Sequence, residues 1–372
     1  MFVNDGAGVV INFGHITSTS TASGTTIVLE DGGSVTNFGT VQNTDPNAAA
    51  IYFHGAGSII NGRTGVSAGS ISGAGNAISI RGGSGMIINS GSIKSATANG
   101  VYLNSGSVTN QAGGVIAGHS NGIYNRHALI GVTNSGVIET TGTGDGVYLQ
   151  AGGSITNNAG GVIAGNAAGI VLGQHGGTVR NSGIVKGVVG FYVPATNSGN
   201  VTLVNSGRIA STAGAAGRAV EMGGSPGSKL LIVEKGAVFT GLVEGGGRGE
   251  IEFASPGTAA MGANISGFET VALADGAADS LTLVQANWSG VSSSRITVIG
   301  GNHGNTVNAS AVTTGGVTIE GGAGKDVLTG TANGNTTFVL FYSATGSSSN
   351  EHLVATLAGS PTLDPAHLLF VS

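Results

Sequence analysis

Three observations predict an all-β chain, a parallel β-solenoid with coils of about 24 residues. An Asn recurs at Asn12, Asn37, Asn61, Asn89, Asn110, Asn134, Asn157, Asn181 and Asn205, in steps of 25, 24, 28, 21, 24, 23, 24 and 24 residues. A short apolar phrase follows about half a period later each time. The composition has 71 glycines, only 8% charged residues and 40% hydrophobic ones, which suits many short strands joined by many tight turns.

The first phrase of each coil carries the Asn, as in Val35-Thr-Asn-Phe-Gly, Ile87-Ile-Asn-Ser-Gly, Val132-Thr-Asn-Ser-Gly and Val179-Arg-Asn-Ser-Gly. The second phrase reads Ile27-Val-Leu, Ile51-Tyr-Phe, Ile78-Ser-Ile, Val101-Tyr-Leu, Ile123-Tyr-Asn, Val147-Tyr-Leu, Ile170-Val-Leu, Phe191-Tyr-Val and Val220-Glu-Met. Both alternate with period two, so Val101 and Leu103 face one way and Tyr102 the other. Strands this short cannot bury an apolar face alone. Stacking each on its counterpart one period away closes a core and pairs the backbone from coil to coil. The Asn-Ser-Gly and Gly-Gly turns mark the corners, where Gly and Asn tolerate positive φ.

At the corners Asn110, Asn134, Asn157, Asn181 and Asn205 are expected to form a structural ladder of stacked amides. Nine such coils make up residues 1–224, a regular array. From residue 225 to 372 the Asn-Ser-Gly phrase disappears. Strands are expected there at 250–253, 270–273, 281–284, 296–299, 317–319, 327–328 and 338–341, as a divergent continuation with a cap-like C-terminal segment shielding the last edge.

Composition also limits function. Thirteen Lys and Arg, thinly spread, provide no phosphate-binding tract, so no nucleic acid is expected as a partner. The absence of Cys removes disulfides, zinc-thiolate sites and thiol nucleophiles. The start, Met-Phe-Val-Asn-Asp-Gly, has neither a basic nor an apolar leader region, and Val9 already lies inside a repeat, so the chain reads as a piece of a longer exported protein.

The phrases Gly-Ser-Val-Thr-Asn-Gln-Ala-Gly-Gly-Val-Ile-Ala-Gly (106–118), Gly-Ser-Ile-Thr-Asn-Asn-Ala-Gly-Gly-Val-Ile-Ala-Gly (153–165) and Asp-Gly-Val-Tyr-Leu-Gln-Ala-Gly-Gly (145–153) resemble the passenger repeats of bacterial autotransporter proteins. Glu234-Lys-Gly-Ala-Val-Phe-Thr-Gly is similar to the phrase that follows those repeats. The resemblance covers about two thirds of the chain. It implies a right-handed parallel β-helix displayed on the surface of a Gram-negative cell or secreted from it, adhering to a protein or glycan on a host or neighbouring cell. It also implies an outer-membrane translocator barrel, which this chain does not contain, since only about thirty residues follow Phe341.

Three functions compete: a non-enzymatic adhesive passenger, a carbohydrate-cleaving β-helix enzyme and a calcium-binding secreted repeat protein. The first is preferred. Glycoside cleavage needs paired carboxylates, yet no acidic residue occurs between Asp45 and Glu139. Glu139 and Asp145 read as solvated turn charges, Glu221 as an outward residue without an acidic partner, and Glu30 with Asp31 as the remaining acidic pair. The eight histidines, among them His54, His119, His127 and His175, lack metal-ligand spacing. No cofactor is expected unless calcium binds the nonapeptide Gly321-Gly-Ala-Gly-Lys-Asp-Val-Leu-Thr, through Asp326. Its degenerate neighbours at 300–305 and 330–335 carry Asn in place of Asp, and an ion-free tight turn is the preferred reading.

Tyr52, Tyr102, Tyr124, Tyr148 and Tyr192 all take the same outward slot of the second phrase. Stacking would place Tyr102, Tyr124 and Tyr148 on consecutive coils. They form either a packing ladder or a binding strip for sugars and proteins.

Overall fold

The computed structural model describes residues 1–19, 24–63, 65, 69–224, 226–255, 257, 259–275, 277–322, 324, 326–343 and 351–358. The fold is an all-β parallel solenoid of about 13 turns with almost no helix. It divides into two units, Met1–Lys229 with Gly236–Val243, and Leu230–Lys235 with Glu244–Ser372.

In the first unit each regular coil holds three strands, where the sequence suggested two. One coil runs Asp145–Leu149, Gly153–Asn157 and Val162–Ala164. Each strand pairs in parallel with its counterpart on the next coil, through Val147 with Ile170, Ile155 with Val179, and Ile163 with Val185. The third row forms a ten-stranded sheet of its own. Its strands are only three or four residues long, too short for alternation to register as a separate phrase. Eight of the ten nevertheless send a fully buried apolar side chain inward: Val41, Ile71, Ile93, Ile116, Ile138, Ile163, Val185 or Ile209.

The core follows directly from the alternation. Ile51 with Phe53, Ile78 with Ile80, Val101 with Leu103 and Val147 with Leu149 are fully buried, layer upon layer. Each such side chain contributes about 1.5–3 kcal/mol of burial. A column of glycines lets the third row approach the corner. A Cβ on Gly100, Gly122, Gly146, Gly169 or Gly190 would lie 2.7–3.1 Å from a methyl of Ile116, Ile138, Ile163, Val185 or Ile209 respectively.

The second unit uses two strand rows. Ile265–Leu273, Arg295–Ile299, Gly316–Glu320 and Thr336–Ser343 pair successively in parallel, and Ser280–Val284, Thr306–Ala311 and Val327–Thr329 form the other row. Thr306–Ala311 escaped sequence reading because Thr-Val-Asn-Ala-Ser-Ala has a single large apolar residue, Val307, which is buried. Glu351–Ala358 was also unforeseen. It runs antiparallel to Thr336–Ser343 and ends the parallel stacking. The rest of the expected cap-like segment, 344–350 and 359–372, lies outside the described residues.

Candidate functional site

The corner amides stack without interruption. Asn Nδ2 donates to the Oδ1 of the next Asn at all eight steps from Asn12 to Asn205, at 2.8–2.9 Å. Each amide from Asn37 to Asn181 also donates to the carbonyl of its own corner glycine and to one carbonyl on the next coil. For Asn110 these are Gly114 and Val137, for Asn157 Gly161 and Ile184, and for Asn181 Gly183 and Arg208. Asn205 bonds Gly207. These nine side chains are at most 5% exposed, so their hydrogen bonds are internal to the solenoid.

A second polar ladder was not visible in the sequence. Asn99 donates to Asn76 Oδ1 and Asn121 to Asn99 Oδ1, at 3.1 and 2.9 Å. The Asp145 backbone N–H then donates to Asn121 Oδ1, and the Ala168 N–H to Asp145 Oδ1. Asp145 is therefore a half-buried strand residue and not a solvated turn charge. Burial pushes its carboxyl above the usual range, partly offset by the Ala168 N–H. The signal was the Asn, Asn, Asn, Asp series two residues before each apolar phrase, masked by the many other Asn residues.

The tyrosines form a half-buried counterpart of these ladders. In register, one outward row runs Val28, Tyr52, Ser79, Tyr102, Tyr124, Tyr148, Val171, Tyr192 and Glu221. Tyr102 and Tyr124 have ring centroids 5.5 Å apart at 60°, and Tyr124 and Tyr148 5.4 Å apart at 57°. Ser79 separates Tyr52 from this trio and Val171 separates Tyr192. The rings are tilted and half-buried, each covering part of its neighbour, and such contacts contribute about 0.5–1.5 kcal/mol per pair. The Tyr124 hydroxyl donates to Gln150 Oε1. Desolvation, followed by the neighbouring tyrosines, raises the Tyr124 hydroxyl; desolvation followed by Asp145 raises that of Tyr148. Both hydroxyls stay protonated at neutral pH.

Basic side chains flank the row. Arg81 is exposed, with its guanidinium carbon 5.1 Å from the Tyr102 centroid. Arg126 is exposed two residues after Tyr124. Where Ser79 interrupts the rings, a recess of about 580 Å³ opens among residues that include Glu30, Asn47, Tyr52, Asn76, Ser79 and Arg81.

The carboxylates weighed from sequence are dispersed. Glu30 Oε2 contacts His54 Nδ1 at 2.8 Å, whereas Asp31 Oδ2 accepts the Gly6 N–H at 2.7 Å. Glu221 has a basic neighbour that sequence reading missed, Arg218, at 3.6 Å. Among the described residues no three His, Cys, Asp or Glu side chains gather as a metal site.

Asp326 sits in a different stack. Its Oδ1 accepts the Asn305 N–H at 2.7 Å, and Asn305 Oδ1 accepts the Asp279 N–H at 3.1 Å. The 300–305 copy thus stands on the same corner as Asp326. The 330–335 copy does not, because Asn335 precedes Thr336, which pairs with Val317 in the other strand row, and its Oδ1 accepts from Arg295 Nη2 at 2.8 Å. Ala323 and Lys325 of the nonapeptide lie outside the described residues. Calcium takes six or more oxygens, whereas the Asp326 carboxylate already serves a backbone amide. Among the described residues, no two further His, Cys, Asp or Glu side chains join Asp326 to share such an ion.

Desolvation, partly offset by the Asn305 N–H, raises Asp326 from 3.8 to about 6. A carboxyl whose folded value exceeds its unfolded one favours the fold while protonated. Its contribution is complete below the unfolded value and is lost as pH rises through about 6. Melting of the whole chain from about pH 4 to about pH 7 should therefore show the wild type losing ground to Asp326→Asn. Parallel pH profiles for the two proteins would contradict this.

Comparison with protein-family models, with curated proteins and with solved structures returned no match to this chain.

Proposed function

We propose that the chain is a non-enzymatic β-helical passenger, exposed on or released from a Gram-negative cell, that adheres through its tyrosine face. One observation carries the reading: Tyr102, Tyr124 and Tyr148 stack on three consecutive coils with exposed Arg81 and Arg126 beside them. Rigid rings with polar tips bind partners at little conformational cost. The coils that carry Tyr52 to Tyr124 lie within the stretch between Asp45 and Glu139, which has no carboxylate for acid–base chemistry. A solenoid without Cys also needs no redox chemistry to hold its shape outside the cell. In this reading an outer-membrane translocator barrel exports the chain, and the partner is a protein or glycan on a host or neighbouring cell.

The test is attachment of purified protein to cells, matrix proteins and a broad glycan array. Replacing Tyr102, Tyr124 and Tyr148 together by Ser is expected to reduce binding at least about tenfold, with the circular dichroism spectrum unchanged. Undiminished attachment by the triple variant would remove adhesion through this face.

A further inference from the structure

The geometry points to a linear glycan with carboxylated sugars as the partner of the tyrosine face, its rings lying along Tyr102, Tyr124 and Tyr148 and its carboxylates meeting Arg81 and Arg126. This inference rests on the tyrosine face being the adhesive surface.

Charge is the first support. Residues 46–138 contain four cationic side chains, Arg63, Arg81, Lys94 and Arg126, and no acidic one, so this stretch is +4 in a chain whose net charge is −5. Two of the four stand at the tyrosines. Arg81 lies over the Tyr102 ring, and the charge of Arg126 acts on the Tyr124 hydroxyl. The ion pairs among the described residues are His54 with Glu30 and Arg218 with Glu221. Arg81 and Arg126 therefore have no carboxylate partner there. Arg81 Nε donates to Ser79 Oγ at 3.3 Å, which leaves the two terminal nitrogens of its planar guanidinium to meet a carboxylate in bidentate fashion.

Periodicity is the second support. The ring centroids repeat at 5.5 and 5.4 Å, close to the advance per sugar in an extended glycan. Successive sugars can then meet successive rings in the same way. Arg81 and Arg126 follow Ser79 and Tyr124, whose stations are two coils apart by register, or roughly 10 Å at the usual strand spacing. A repeating polymer with charge along one edge satisfies both rows; a folded protein surface has no such period.

The recess at Ser79 is the third. At about 580 Å³ it falls within the range of small-ligand clefts. Tyr52, Arg81, Glu30, Asn47 and Asn76 are among the residues that line it. Amide and carboxylate groups suit sugar hydroxyls, so the recess can seat a terminal or branching sugar. Single-stranded nucleic acid also stacks on aromatics, but it uses a basic groove along the backbone, whereas two cations, Arg81 and Arg126, stand beside these rings.

Calorimetric titration of the full chain tests the inference with four probes. They are an octasaccharide alternating glucuronate and N-acetylglucosamine, a galacturonate octamer, the first probe with its carboxylates reduced to alcohols, and a thymidine oligonucleotide. At least one acidic glycan should bind, about tenfold more tightly than the reduced form if one guanidinium–carboxylate contact is lost. Arg81→Gln and Arg126→Gln should each weaken that binding about tenfold and reduce its salt dependence, with melting unchanged. Failure of both acidic glycans to bind, equal binding of the reduced probe, or preference for the oligonucleotide would overturn the inference. If the tyrosine triple variant still loses cell attachment in such a case, only the glycan assignment falls. If it attaches normally, the adhesive reading falls with it.

Discussion

Asn134→Ala is expected to lower the free energy of unfolding by about 3–5 kcal/mol. The Asn134 side chain makes five hydrogen bonds. Its Oδ1 accepts from Asn110 Nδ2 at 2.9 Å and from the Gly136 N–H at 3.2 Å. Its Nδ2 donates to Asn157 Oδ1 at 2.9 Å and to the Gly136 and Val162 carbonyls at 3.1 Å. Asn134 is 0% exposed, so water cannot readily take over these roles. Each buried group left without a partner costs about 1–3 kcal/mol, and a chain of amides polarises along its length, so the loss should exceed that of one isolated bond. Asn134→Asp should be at least as damaging at neutral pH, because it removes the donor and places a charge inside the stack. The control is Thr133→Ala, one residue away and exposed, expected within about 0.5 kcal/mol of wild type. Urea midpoints for the three variants decide the matter. If Asn134→Ala and Thr133→Ala shift equally, the ladder contributes nothing special to stability.

The same residues explain what could be read in advance. Asn12 to Asn205 were legible because a corner amide stacks only if an identical amide recurs at each coil, which imposes a near-constant spacing on the sequence. Tyr102, Tyr124 and Tyr148 were legible as one row for the same reason. Ile138 and Ile163 were not recognised as a separate strand row, because one inward residue in a three- or four-residue strand leaves no alternation to count. Arg81 and Arg126 were invisible as a pair. Their relation to the tyrosines depends on a register that shifts within the strand Ile78–Asn89, between Ile80 and Ser84. Asp145 was misread because Gly-rich flanks resemble a solvated turn, whereas its carboxylate in fact receives the Ala168 N–H. In the second unit, Asn305 and Asp326 share a corner, a match already visible in the repeated nonapeptide pattern, but coils with two strands and different spacing hide Asp279, which stands in the same stack. Periodic packing is written in the sequence; contacts between different rows arise only when the coils close.

Gly177→Ala is expected to be strongly damaging, costing at least about 3 kcal/mol. Gly177 has φ +146°, a region that side chains rarely adopt, and a Cβ built there would lie 2.0 Å from the Gly153 carbonyl oxygen on the preceding coil. Neither problem has local relief. Rotating φ would break the parallel pairing of Gly177 with Gly153 and Val201, and lifting the coil would stretch the amide contacts of Asn181. The same column accepts larger residues where the backbone differs. Ile130 and Val201 occupy it without positive φ and bury their side chains, at 2% and 1% exposure. The requirement at Gly177 is thus one of conformation and close approach, not of column position. Gly131→Ala isolates the point, since its added Cβ would meet nothing nearer than Ser154 Oγ at 3.6 Å and its φ is not positive. That variant should melt within a few degrees of wild type and could gain slightly from a less flexible unfolded chain. Gly177→Ala should instead melt far lower, with hydrogen exchange accelerated first in Gly153–Asn157 and Val201–Asn205, the strands paired on either side of it. Equal melting of the two variants would mean that the coils slide apart at little cost, and the corner glycines would then not be what fixes their stacking.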